Sequence, residues 1–190
     1  MSFSVQISQD LKKIPVFLNA MRTGALQKAV RRSLNRALAG LRTRANQAVR
    51  QERKLKAGEI NRDYFRVNKA KGNSIESLEA GLAISGKPVS LIRFARGSKD
   101  PRPQKGIAIR KRKPLRVEVK PGRQRILKKA FIARTPAQQM FVRAGTKSLP
   151  IIKKQVPSLA THFRKETFRS PLERFAGERY VKEFAQNFAF

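Results

Sequence analysis

The stretch Leu26-Gln-Lys-Ala-Val30-Arg-Arg-Ser-Leu34-Asn-Arg-Ala-Leu38-Ala-Gly-Leu41-Arg-Thr-Arg-Ala45 sets apolar residues three and four positions apart, and Ala48/Val49 continue the pattern. That spacing gathers them on one helical face. Arg31, Arg32, Arg36, Arg42, Arg44 and Arg50 fall mostly on the other faces. The pattern predicts one helix of about eight turns from Thr23 to near Glu52. Its arginines either line a groove or channel or form the solvated face of an amphipathic helix.

Working outward toward the N-terminus, Phe3, Val5 and Ile7 alternate as in a short strand. Asp10 is placed to cap a helix reaching about Arg22, with Pro15 as its kink or true start. Toward the C-terminus, a short helix is expected around Ala57–Phe65, ahead of a turn at 71–73. The period then switches from 3.6 to 2, with Leu78, Ala80, Leu82 and Ile84 predicting a strand. Ser85–Pro88 reads as a turn and Val89–Phe94 as a returning strand. A loop from Gly97 to Gly106 follows, then strands at Ile107/Ile109 and at Leu115, Val117 and Val119, the latter closed by Pro121-Gly122. Ala130–Ala133 and Met140–Arg143 predict a further hairpin. Near the end, Ser158 is placed to cap a short helix through Phe168. Ser170-Pro171-Leu172-Glu173 has the capping-box order of Ser at N-cap, Pro at N1 and Glu at N3. Leu172, Phe175/Ala176, Tyr180/Val181, Phe184 and Phe188 mark one face of the terminal helix. The expected fold class is α+β: a long N-terminal amphipathic helix packed on a mostly antiparallel sheet, with a C-terminal helix. At 190 residues one domain is expected, with helical regions at 1–66 and 158–190 around a sheet region at 74–145.

The chain carries 44 Lys+Arg against 12 Asp+Glu, a formal charge of +32. At 40% hydrophobic content it has the material for a core, unlike a disordered basic tail. Such self-repulsion calls for an anionic partner or dense counterions. The charge is concentrated centrally: residues 80–165 hold 23 basic residues against Asp100 and Glu118 alone. With no Cys there is no disulfide framework, thiolate nucleophile or Cys-based zinc site. His162 is the single histidine, which excludes a His-cluster metal site. No run approaches the roughly 18 apolar residues of a membrane span. The opening residues lack a basic segment followed by an apolar one, so the chain is expected to be made and kept on the cytoplasmic side.

Gly81-Leu-Ala-Ile-Ser-Gly86-Lys87 has the glycine and lysine spacing of a P-loop, but Pro88 stands where the Mg²⁺-binding Ser or Thr belongs. A strand–turn–strand reading is preferred. Arg110, Lys111, Arg112 and Lys113 form a tetrabasic tip, joined by Arg93, Arg96, Lys99, Arg102 and Lys105 in a cationic surface expected to contact nucleic acid or an acidic partner. Phosphate contacts of this kind position a protein without reading sequence; the alternative is a solvated loop or an edge-strand guard. Phe184, Phe188 and Phe190 are candidates for a subunit interface, or else belong to the core. His162 has no acidic or hydroxyl constellation around it, and the carboxylates are too few and too scattered for acid–base or two-metal chemistry. No enzyme activity and no cofactor are expected.

The order of features carries a family resemblance. An arginine-studded helix (Ala29–Leu38, then Arg42-Thr-Arg-Ala and Val49-Arg50) precedes alternating strands, and then come a basic strand pair, Val117-Glu-Val-Lys-Pro-Gly, and Lys129-Ala-Phe-Ile-Ala133. Met140-Phe-Val-Arg143, Leu149-Pro-Ile-Ile152 and Val156-Pro-Ser158 follow. From about residue 20 to 175 the chain resembles the minor tail protein Z family of lambda-like phages and prophages, related to tail-completion or neck proteins. That family has Gly-Pro-Ser where this chain has Val156-Pro157-Ser158. The resemblance implies a structural virion protein at the head-proximal end of the tail, assembled in the host cytoplasm as a homo-oligomer, a hexameric ring, beside the terminator and connector. It implies a part in head–tail joining and in positioning or passing the genome end, with no catalytic residues. The alternatives are a stand-alone, sequence-nonspecific double-stranded nucleic-acid-binding protein and an adaptor matched to an acidic protein.

Overall fold

A computed structural model describes residues 3–7, 24–72, 74–96, 115–127, 130–133, 139–145 and 150–188. The chain is of the mixed α+β class, and its strands form four small antiparallel sheets among the described residues. Its contacts divide it into two compact units, residues 1–48, 57–86 and 159–190 in the first and 49–56 and 87–158 in the second.

The first unit is built on helix α1, Ala25–Glu52, whose last turn counts with the second unit. The predicted stripe is the one that is buried: Val30, Leu34, Leu38, Leu41 and Ala45 are at most 2% exposed. Helix α2, Ala57–Asp63, follows and contributes Ile60 to the core. The polar residues of α1 reach the segment after it. Asn46 donates to the Ala57 carbonyl, Arg42 to Asn61 Oδ1 and Gln27 to the Gly72 carbonyl, while Asn35 accepts the Ala70 N–H.

Strands β1 (Phe3–Ile7), β2 (Phe65–Asn68) and β3 (Ala80–Ile84) form a sheet in the order β1-β3-β2. Leu82 lies opposite Val5 on one side and Val67 on the other, and Ile84 opposite Phe3 and Phe65. Phe65 meets Phe163 of helix α3 (Leu159–Phe163) edge to face, with ring centres 6.2 Å apart. Helix α4, Glu166–Phe188, buries Leu172, Ala176 and Tyr180. Where it passes α1, the Phe175 ring lies over Gly40, at ordinary contact distance (3.6 Å) from where a Cβ would stand.

The second unit contains β4 (Val89–Ser90), which pairs with β11 (Gln155–Val156). A 3₁₀ turn, Leu91–Phe94, leads into β5 (Ala95–Arg96). β5 then joins β6 (Leu115–Lys120) and β7 (Arg123–Leu127) in the order β5-β6-β7. β8 (Ala130–Ala133), β9 (Gln139–Arg143) and β10 (Ile151–Lys153) make the last sheet, in the order β10-β9-β8. Val89, Ile92, Phe94, Val117 and Met140 are among the buried apolar residues of this unit.

Four expectations are corrected. The short helix stops at Asp63 because Phe65–Asn68 pair with β3, and sheet pairing overrides the helical continuation through Phe65. Ser85–Pro88 does not join a hairpin: β3 lies between β1 and β2, whereas β4 pairs with β11. Val89–Phe94 is a strand for two residues only. Leu91, Ile92 and Phe94 are all buried, and a strand would send neighbours to opposite faces, so the chain curls instead. Ser170 is no cap, since α4 starts at Glu166 and carries Pro171 within it. Glu173 does not reach back to the backbone of residue 170; it accepts the Arg169 guanidinium at 2.6 Å. The expected helix at 10–22 and strand at 107–109 lie outside the described residues.

Tyr180 is 1% exposed and stacks on Phe184, yet its hydroxyl has no hydrogen-bond partner among the described residues. Burial pushes its phenol above the ordinary tyrosine range. The folded state therefore holds a proton that the unfolded chain releases above about pH 10. The associated stability is complete below that pH and is lost as pH rises toward the folded value. Tyr180→Phe removes an unsatisfied buried hydroxyl, so it is expected to leave stability unchanged or raise it, by up to about 1–3 kcal/mol. It should also flatten the alkaline fall in stability. Urea melts across neutral and alkaline pH check both, and a loss of 2 kcal/mol or more (roughly the deletion of a needed hydrogen bond) would contradict the assignment.

Candidate nucleic-acid interface

The two units treat charge differently. The second holds 25 basic residues against Glu52, Asp100 and Glu118, a net of +22; the first has a net of +10. In the first, acids are spent on local pairs. Glu173 meets Arg169, Glu178 meets Arg174, and the buried Glu183 accepts both Arg36 at 3.3 Å and Arg179 at 2.6 Å. Asn187 extends that cluster by donating to Ser33 Oγ and accepting from Arg36. This network ties α4 to α1 through Arg36, and Arg42 is held separately by Asn61 of α2, so two of the helix arginines are structural. Arg31, Arg32, Arg44 and Arg50 are exposed.

In the second unit the geometry centres on the β6–β7 hairpin. Its turn is Pro121-Gly122, with Gly122 at φ 77°, the residue pair that a type II turn requires. Register shifts between Glu118 and Lys120, a bulge that leaves Val119 without a partner in β7. The Val119 carbonyl is taken instead by the Lys54 N–H at 2.9 Å. Glu118 is 2% exposed: one carboxylate oxygen accepts the Gly122 N–H and the other accepts Lys54 Nζ, each at 2.9 Å. One buried acid thus closes the turn and anchors it to the chain leaving α1. The only carboxylate of the hairpin is withdrawn from its surface.

What remains outside is cationic. Arg116, Lys120, Arg123 and Arg125 are exposed, together with Gln124 and Ile126, the last at 54%. Arg116 lies opposite Ile126 and, across β5, opposite Arg96; Arg125 lies opposite the buried Val117, on the other face. Of the residues expected from sequence, Arg93 is half-buried in the 3₁₀ turn and has polar or electrostatic contacts of its own. The backbone of Arg96 is in the sheet. Lys99, Arg102, Lys105 and Arg110–Lys113 lie outside the described residues. Arg116, Lys120, Arg123 and Arg125 were not singled out by sequence, although the Pro121-Gly122 turn and the spacing of Arg123 and Arg125 carry the signal of a hairpin with an exposed arm.

Gly81 is inside β3 and no helix follows Lys87, so the P-loop spacing is incidental. His162 packs against the Phe168 ring at 4.0 Å between centres. Phe184 is half-buried and stacked on Tyr180, which gives it a role within α4; Phe188 lies at the end of α4, and Phe190 is outside the described residues. Among the described residues no group of His, Asp or Glu is placed to hold a metal, and no helix is long and apolar enough to cross a membrane.

A Cβ at residue 122 would meet nothing within 4 Å, so Gly122→Ala isolates the left-handed backbone and is expected to cost about 1–2 kcal/mol. Glu118→Ala leaves the Gly122 N–H and Lys54 without their partner and is expected to cost about 1–3 kcal/mol. Thermal and urea unfolding of both variants measure these effects; a neutral Glu118→Ala would remove the carboxylate from its role in the turn. Compared with known proteins, the chain matches no family model, no curated protein and no solved structure.

Proposed function

We propose that the chain is a structural component of a phage tail, a tail-completion or neck protein at the head-proximal end, which meets duplex DNA through its second unit. The observation that carries the reading is the segregation of charge. A unit at net +22 hides the acid of its central hairpin and exposes the cations, which is the electrostatic footprint of a surface built for phosphates. The tail assignment rests on the resemblance carried by Ala29–Leu38, Val117–Gly122, Lys129–Ala133 and Met140–Arg143. Assembly as a ring beside the terminator and connector, in the virion after assembly in the host cytoplasm, belongs to the same proposal. No chemistry is assigned to it.

A stand-alone, sequence-nonspecific duplex binder is the second reading, favoured by the same hairpin. The two part company over assembly. A neck protein forms rings or joins purified tails, whereas a stand-alone binder occupies DNA as a monomer or dimer. Electron microscopy of virions or tails is expected to show this chain at the head-proximal end; its absence there overturns the tail reading. Both readings expect duplex affinity to fall log-linearly with salt, with a slope of about 0.9 per phosphate contact. A salt-independent interaction, or none, would remove DNA from the proposal.

A further inference from the structure

We propose that the tip of the β6–β7 hairpin and its outer strand β7 enter the major groove of duplex DNA, with Arg116, Lys120, Arg123 and Arg125 on the phosphates of the two groove walls. The inference rests on the duplex-DNA reading above and adds the element and the groove. Its first ground is the placement of charge on the ribbon. Arg116 stands on one face, Arg125 on the opposite face, and Lys120 and Arg123 pair across the turn at the tip. A protein lying flat on one phosphate backbone, or on a flat acidic surface, needs cations on one face. A slot walled by phosphates on both sides needs them on both faces and at the leading end.

The second ground is size and access. Two paired strands are about 4.8 Å apart, and the major groove, about 12 Å wide, admits a two-stranded ribbon with its side chains. Among the described residues β7 is the outer strand of its sheet, and its residues from Arg123 to Ile126 are all exposed. Gln124 and Ile126 sit between and beside the arginines.

The third ground is preorganisation. A ribbon that enters a groove must hold its tip rigid, and the tip is fixed from within by Glu118, which accepts the Gly122 N–H and Lys54 Nζ. Glu118 is a positioning residue: it sets the tip without touching the nucleic acid.

The test uses the full chain, a labelled random-sequence duplex and fluorescence anisotropy over a range of salt. Arg116→Ser/Arg123→Ser/Arg125→Ser, all at exposed positions, is expected to flatten the salt slope by about 2.7, three contacts at about 0.9 each. Arg31→Gln/Arg32→Gln/Arg44→Gln removes the same charge from exposed positions of α1 and is expected to change the slope by less than about one unit. Dimethyl sulfate should find guanine N7 protected in the wild-type complex and reactive with the hairpin variant, because N7 faces the major groove. A hairpin variant with the wild-type slope, or N7 left reactive in a saturated wild-type complex, overturns the ribbon while leaving DNA binding in place. If the wild-type chain ignores the duplex but binds polyglutamate in a hairpin-dependent way, the surface belongs to an acidic protein and the duplex reading itself falls. Circular dichroism melts of both triple variants establish that the comparison is between folded proteins.

Discussion

Repulsion among 44 cations with 12 acids to offset them is the constraint to which the rest of the molecule answers. The first unit answers it by pairing along α4, where Glu173 and Glu178 each take the arginine four residues before them. Exposed pairs of this kind contribute little individually. Glu183 does more: a single buried carboxylate holds guanidiniums from both long helices, and its neighbours Asn187 and Ser33 close the remaining polar groups. That unit is left with a moderate net charge and a core made by the α1 stripe, the β1-β3-β2 sheet and α3–α4. The second unit makes the opposite choice. Among the described residues it has fewer buried apolar side chains, and its net charge is larger, so its stability is the more sensitive to whatever anion lies against it.

Glu118 shows how a scarce acid is spent there. Burying a carboxylate is unfavourable unless its oxygens are satisfied. Here both are, by a backbone N–H within the turn and by a half-exposed ammonium. Such a pair is weak evidence for net stability but strong evidence for geometry, since breaking it strands a charge. The bulge at Val119 and the positive φ of Gly122 shape the turn, and the carboxylate holds that shape in register with Lys54. Local backbone chemistry and surface electrostatics are therefore set by one side chain, which removes negative charge from the hairpin's surface as it builds the hairpin.

The elements legible in sequence are those whose apolar residues form a clear pattern. The α1 stripe needed only the 3.6-residue period, β1, β3 and β6 the period of two, and β8 and β9 two short apolar runs split by a polar break. What escaped had no such pattern. β7 begins Arg123-Gln-Arg and is exposed on both faces, so no apolar alternation announces it. Val89–Phe94 sets Ser90 and Arg93 among four apolar residues at no clean period, and such a run does not separate a buried strand from a 3₁₀ turn. The partner of β4 is some 65 residues away in sequence, a distance that no local signal spans. Ser170-Pro171 reads as a start signal, but α3 ends at Phe163 and the helix restarts at once, before the Ser is reached. The site divides the same way. A tetrabasic run stands out in composition, whereas Arg116, Arg123 and Arg125 become a set only when antiparallel pairing brings them onto one ribbon.

The same arginines constrain how copies of the chain meet. Among the described residues β7 is an edge strand, and open edges invite pairing with another strand. Two copies joined antiparallel through β7 would set Arg123 and Arg125 of one beside those of the other, and like charges directly opposite across strands are unfavourable. Edge charges thus guard against sheet extension, the reading that composition alone allowed for basic segments. The guard and the phosphate contact are compatible, because an anion relieves repulsion that a second β7 would increase. A ring of this protein would then draw its subunit contacts from surfaces other than this edge. The hairpin would stay free for the polyanion that offsets its charge.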